Sequence, residues 1–260
     1  MDSLHGFPQS PAGYVFGRSA RPSFRSLYKF HHSQRFRWLQ KKVASAGKRR
    51  AAILELGCND ATSLGYVPVP VYRYLGLDAG WNSGWKNGVP RGLEAARHRY
   101  QGIENIEFRK SQEVGDVAGL AESFDFVFVL ETFEYLQPTQ LEPYISALAE
   151  KVRPDGCILS TMPNEKGFSL LLKHIGSHLS GVRRSQYSAG EFIDALLGRM
   201  DRVPRGERSR KGFDYECVFR MIRRHFRCVR LESVGAPFLP RGLSLNIGLV
   251  ASHKPLSSQA

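Results

Sequence analysis

Hydrophobic and polar positions along the chain fall into two alternating patterns. Short, mostly apolar runs recur at AAILEL (51–56), YRYLGLD (72–78), NIEF (105–108), FDFVFVL (124–130) and CILSTM (157–162). They have the length and character of strands buried on both faces. Between them, RGLEAARHRYQ (91–101) reads as helix, and LEPYISALAEKV (141–152) sets Leu141, Ile145, Leu148 and Val152 at helical spacing. Residues 26–45 predict a further helix, with Leu27, Phe30, Trp38, Leu39 and Val43 as an imperfect apolar stripe that ends at Gly47. Pro154-Asp155-Gly156 predicts a turn into the last of these strands. Strand and helix in repeated alternation predict a mostly parallel sheet, doubly wound, with helices on both faces. Ligands of such sheets bind beyond the carboxyl ends of the strands. That edge would gather Gly57–Ala61, Asp78, Ser111-Gln112, Leu130–Tyr135 and Met162–Asn164.

The remaining segments divide the chain. Residues 1–24 are punctuated by Pro, Gly and Ser and lack periodicity, which predicts a flexible arm before an N-terminal helix in 25–50. Residues 51–164 form the core. Residues 165–212 exceed what a minimal fold needs and read as an inserted helical cap, from LLLKHIGSHL and SAGEFIDALLGRM to the basic run RVPRGERSRK. The core resumes over 213–253 with a helix at 214–225 and strands at 227–234 and 244–252, and 254–260 is a tail.

Charge follows the same division. Lys and Arg number 37 against 24 Asp and Glu, a net +13 over 260 residues. Residues 1–50 contribute +10, 51–164 contribute −6 and 165–260 contribute +9. Basic ends around an acidic middle attract anionic partners: a phosphorylated acceptor, a membrane surface touched peripherally, or nucleic acid. No apolar run approaches the roughly 20 residues of a membrane-spanning helix. The first residues carry no apolar core of a secretory signal. Cys58, Cys157, Cys217 and Cys228 are scattered without a C-x-x-C, which argues against zinc and a disulfide scaffold and for a reducing, cytoplasmic setting.

The chemistry concentrates after the first two core strands. Gly57-Cys58-Asn59-Asp60-Ala61 follows a strand carrying Glu55, and Asp78 closes the next strand, placed to accept both hydroxyls of a ribose. The turn makes a poor dinucleotide fingerprint, because Asn59 and Thr62 stand where two glycines belong. The same residues resemble the class I S-adenosylmethionine-dependent methyltransferases, and within them the small-molecule, type 11-like enzymes. ILELGCNDA resembles that family's first motif, YLGLD its second, FDFVFVLETFEYL its fourth, and KVRPDGCILSTMPN the later strand that ends in Pro-Asn. Four motifs in order over 51–164 make the match specific. The chain departs from the pattern at Ala61 (for the last glycine), Tyr135 (for a usual His) and Asp155 (for a Gly). Ser111-Gln112 stands where an adenine-facing acid is usual, and Pro68 and Pro70 shorten or remove the first helix.

The resemblance implies a Rossmann-like sheet closed by a C-terminal antiparallel hairpin, and S-adenosyl-L-methionine as cofactor. It implies contacts from Glu55, Gly57, Cys58, Asn59, Asp78, Ala79, Ser111, Gln112, Leu130 and Glu131. Ala61 puts a methyl near the cofactor, which is tolerable where its φ is negative, and Glu55 is also placed to order the first loop by accepting backbone N–H bonds instead of touching the ligand. Methyl transfer needs an oriented acceptor and a base only where the acceptor loses a proton. Candidate bases are Glu134, Tyr135, His174 and His178; the two histidines share a helix face, but no third ligand accompanies them, so no metal is assigned. Trp81 and Trp85 follow Asp78 and could cover the adenine. Tyr187, Arg205 and Arg208 are candidate acceptor contacts from the cap. The acceptor is expected to be a small molecule, or a glycan or lipid-linked precursor, modified at O or N. An RNA methyltransferase and a non-catalytic cofactor-binding scaffold are the alternatives. Since every motif lies in 51–164, the basic ends are expected to be peripheral to the site.

Overall fold

A computed structural model describes residues 24–179 and 187–254; the arm at 1–23 and most of the tail lie outside the described residues. The core is one seven-stranded sheet. Its strands are β1 (Ala51–Leu56), β2 (Val71–Asp78), β5 (Ile106–Lys110), β6 (Phe124–Leu130), β7 (Val152–Pro163), β8 (Cys228–Ser233) and β9 (Asn246–Ser252). They lie side by side in the order β5-β2-β1-β6-β7-β9-β8. The first five are parallel, and β9 runs antiparallel to both β7 and β8. This is the predicted doubly wound sheet with its closing antiparallel hairpin. The order reverses at β1, so its carboxyl end and that of β6 diverge and open a crevice.

Every residue of β1 and of β6 is buried, including the acids Glu55 and Asp125 within their mostly apolar runs. One face of the sheet packs against α3 (Val114–Ala118), α4 (Pro138–Glu150) and α7 (Tyr215–Ile222), around Phe124, Val127, Phe133, Ile145 and Val218. The other packs against α1 (Phe24–Ser45) and α2 (Leu93–Arg99), around Leu39, Val43, Ile53, Tyr74, Ala96 and Phe128. Trp38 fixes α1: its ring lies over Gly248 so closely that a Cβ there would stand 2.6 Å from it, and its Nε1 donates to Glu232 at 3.1 Å.

The predicted turn at Pro154–Gly156 is absorbed into β7. Phe124 pairs with Val152 and Phe126 with Cys157, so the strand bulges there against β6. The prolines at 68 and 70 leave a single 3-10 turn, Thr62–Tyr66, where a helix would follow β1. A small hairpin, β3 (Gly84–Lys86) and β4 (Val89–Arg91), was not expected from the apolar pattern. Its signal was present in Asn87-Gly88, which both adopt positive φ, as a two-residue turn demands. The cap consists of α5 (Gly167–Leu179) and α6 (Ala189–Leu196) around a small core of Leu170, Ala195, Met200 and Val203.

Candidate functional site

At the carboxyl edge of the sheet a crevice of about 1080 Å³ opens over β1, β2 and β6. That size suits a nucleoside-bearing ligand together with an acceptor. All ten expected cofactor residues, Glu55, Gly57, Cys58, Asn59, Asp78, Ala79, Ser111, Gln112, Leu130 and Glu131, line it.

The loop after β1 packs tightly against the chain that follows β6. Gly57 has φ +75, and a Cβ there would stand 2.2 Å from Thr132 Oγ1. Asn59 also adopts positive φ, which Asn tolerates. Asp78 holds this loop. One carboxylate oxygen accepts from the Asn59 amide at 2.9 Å and the other from the Gly80 amide at 2.7 Å. A carboxylate has roughly four acceptor positions, so two remain for hydroxyls. Gln112 Nε2 donates to the Ala79 carbonyl at 3.1 Å and lines the same end.

Two expectations for this loop fail. Ala61 has φ +53, not a negative value, and its methyl is fully buried in the apolar cluster behind the loop instead of facing the crevice. The burial of the methyl offsets the left-handed backbone. Glu55 orders the loop through hydroxyls and not through backbone amides: it accepts from Ser63 and from Tyr74 Oη at 2.6 Å. Burial raises its pKa to about 7, against the two hydroxyl hydrogen bonds that lower it.

Across from Asp78 the wall is ionic. Glu131, at φ +51, caps β6 and accepts charge-assisted bonds from Arg35 at 2.9 Å and Arg210 at 2.7 Å, with Asn246 Nδ2 at 3.1 Å. Arg35 lies on α1 and Arg210 in the basic run after α6, and both line the crevice, as does Phe36. The basic ends therefore reach the site instead of remaining peripheral to it. No local spacing marked these residues: Arg35 and Arg210 belong to segments more than 170 positions apart in a chain rich in Arg.

Glu134 does not open into the crevice. It is fully buried, and its carboxyl oxygens have no hydrogen-bond partner among the described residues; Arg210 Nε stands 3.6 Å away. Desolvation raises its pKa to about 8, with Arg210 pulling the other way. Of the candidate bases whose side chains are described, Tyr135 alone lines the crevice, with its ring edge-on to Trp81 at 6.4 Å. His174 packs against Phe192 within the cap, 4.7 Å between rings, away from the crevice walls. The side chain of His178 lies outside the described residues.

The cap candidates separate. Arg208 lines the crevice mouth, its guanidinium 5.1 Å from the Trp81 ring. Arg205 turns inward and donates to the carbonyls of Glu134 at 2.7 Å and Leu136 at 2.9 Å, so it braces the chain after β6 instead of facing an acceptor. Tyr187 packs edge-on to Phe192 in the cap's own core. Among the described residues no cluster of three His, Cys, Asp or Glu could hold a metal.

No family model matches the chain, and no curated protein matches it in sequence. Solved structures do. An S-adenosylmethionine-dependent methyltransferase from Clostridium acetobutylicum superposes with TM-score 0.55 at 10% identity, covering 89% of this chain and 99% of that one. The methyltransferase domain of bacterial-CtHen1-CN gives 0.51 at 17% identity over 85% and 99%. A protein from Pyrococcus horikoshii gives 0.54 at 15% identity over 90% and 94%.

The chain has the class I methyltransferase fold. Within that fold the Gly57 loop and Asp78 occupy the carboxyl ends of the two strands beside the sheet's point of reversal, as the motif resemblance implied.

Proposed function

We propose that the chain is an S-adenosylmethionine-dependent methyltransferase. The observation that carries this is the cradle formed by Gly57, Asn59 and Asp78: a strand-end loop lining the crevice beside a carboxylate with acceptor positions to spare. The residues fit the group, because Gly57, Asn59 and Asp78 line one crevice and Asp78 keeps acceptor positions beyond the two amides it already holds. Asp78 would hold the ribose, Gln112 and Ala79 would border the adenine, and Arg35 would face the amino-acid end from α1. When bound, the cofactor supplies an electrophilic methyl group, so the protein's work is orientation of the acceptor and exclusion of water. Tyr135, which lines the crevice, would hold or receive a proton there, and Arg208, beside Trp81 at the same crevice, would attract an anionic acceptor. The acceptor class this favours is a small anionic molecule or a glycan or lipid-linked precursor, methylated at O or N.

Titration calorimetry with S-adenosylhomocysteine tests the reading. The parent chain should bind, and Asp78→Ala should bind at least tenfold more weakly, the roughly 1.5–3 kcal/mol of a lost hydrogen bond to a charged group. A folded parent chain that binds no cofactor product would overturn it.

A further inference from the structure

The cap carries a feature that methyl transfer does not use. On α5, Phe168, Leu172 and Ile175 are 50%, 41% and 47% exposed at positions i, i+4 and i+7, hence on one face. On α6, which packs against α5, Ile193 and Leu197 are 56% and 60% exposed one turn apart. The turn Arg241–Leu243 also packs on α5, and the loop leading into it carries Phe238, 84% exposed. A groove of about 950 Å³ lies between the start of α5, the end of α6 and the turn Arg241–Leu243; of these exposed side chains Leu197 lines it, with Phe219 and Pro240. Large exposed apolar side chains in such concentration mark an interaction surface.

Charge selects the occupant. Exposed Arg220 and Arg241 line the groove, and exposed Arg199 and Arg202 follow α6. Of the nearby acids, Asp194 lies 3.7 and 4.0 Å from Arg199 and Arg202 and Glu216 pairs with Lys166 at 3.1 Å; with exposed Asp201 they leave the arginines in excess. A second copy docked symmetrically would set these arginines against each other in a chain of net charge +13. An anionic bilayer instead receives the apolar tips below its headgroups and the arginines among its phosphates. The geometry points to the cap face of α5 and α6, with the Phe238 loop, as a peripheral docking surface for anionic phospholipid membranes. This stands independently of the methyl-transfer reading. It moves the membrane contact from the charged ends of the chain to an amphipathic face of the cap.

Vesicle sedimentation of the full chain tests it, with phosphatidylglycerol–phosphatidylcholine vesicles against pure phosphatidylcholine. The parent should partition onto the anionic vesicles, less at high salt. The variant Leu172→Gln/Ile175→Gln/Ile193→Gln/Leu197→Gln should lose at least about tenfold in partitioning. Arg220→Gln/Arg241→Gln should lose about tenfold or more at low salt. Phe238→Ser, at a site too exposed to affect folding, should lose a smaller factor in the same direction. A parent that stays in the supernatant with anionic vesicles overturns the proposal. Equal partitioning of the four-glutamine variant, folded by circular dichroism, also overturns it and assigns binding to the basic ends alone. So does light scattering that finds a parent dimer which the same variant dissociates, since the face would then be a self-interface.

Discussion

The floor and the roof of the crevice are built by different means. The floor is the run of strand ends at Gly57, Asp78 and Leu130, contributed by three neighbouring strands within 51–164 and held by short-range contacts: Asp78 to the Asn59 amide, Gly57 against Thr132. The roof is assembled from Arg35 on α1 and Arg210 beyond the cap, which converge on Glu131 from opposite ends of the chain. The floor is specified by backbone shape, the roof by charge pairing across the tertiary structure. Changes in the floor should therefore strike binding and folding together, and changes in the roof should act first through stability and its dependence on pH.

The largest effect belongs to the floor. Gly57→Val puts a β-branched side chain at φ +75 and into Thr132. Left-handed strain of about 1–2 kcal/mol adds to overpacking of about 1–3 kcal/mol. Denaturant unfolding should show several kcal/mol lost, and calorimetry no cofactor binding. Retained affinity would mean that the loop does not need its close approach.

Next comes the roof. Arg210→Ala leaves Glu131 with Arg35 alone and removes the nearest cation from buried Glu134. Loss of a charged hydrogen bond at a mostly buried carboxylate should cost about 2 kcal/mol in chemical denaturation. An unchanged midpoint would show that Arg35 alone suffices and would break the distinction between roof and floor.

A pH titration of stability separates the two buried carboxyls. Folding raises Glu55 to about 7 and Glu134 to about 8 from the ordinary 4.5. Each folded group binds its proton more tightly than the unfolded one, so its contribution is complete below about pH 4.5 and is lost as pH rises through the folded value. Stability should fall from pH 5 to 8. Glu55 stops contributing to the decline near pH 7, while Glu134 continues to about 8. Glu134→Gln should flatten the decline between pH 7 and 8, and Glu55→Gln should flatten only the part below. A slope in Glu134→Gln equal to the parent's would sink the assignment.

The smallest effect sharpens the reading of the first motif. Ala61→Gly relieves about 1–2 kcal/mol of left-handed strain, yet gives up a buried methyl worth about 0.8 kcal/mol and adds about 0.4–1 kcal/mol of unfolded-state entropy. The melting temperature should move by less than about 2 °C, with cofactor affinity unchanged because the methyl faces the core. A marked gain in affinity would place that methyl in the crevice after all.

Much of this molecule could be read along the chain. Predominantly apolar runs marked β1 and β6 to the residue, because strands buried on both faces are mostly apolar, and the acids they carry, Glu55 and Asp125, are hydrogen-bonded in place. The glycine after β1 and the acid ending β2 marked the crevice floor, since local backbone conformation and strand-end position are properties of short segments. Asn87-Gly88 held a readable hairpin signal as well, weak only because β3 and β4 are three residues each. The tertiary structure alone decided the rest. It brought Arg35 and Arg210 to one carboxylate, turned Arg205 inward, enclosed Glu134 away from the crevice, and left the apolar face of the cap uncovered. Basic residues are numerous in this sequence, and their side chains are alike whether they solvate a surface, brace a carbonyl or line a crevice. Burial and partner distance distinguish these roles, and both exist only once the chain has closed on itself.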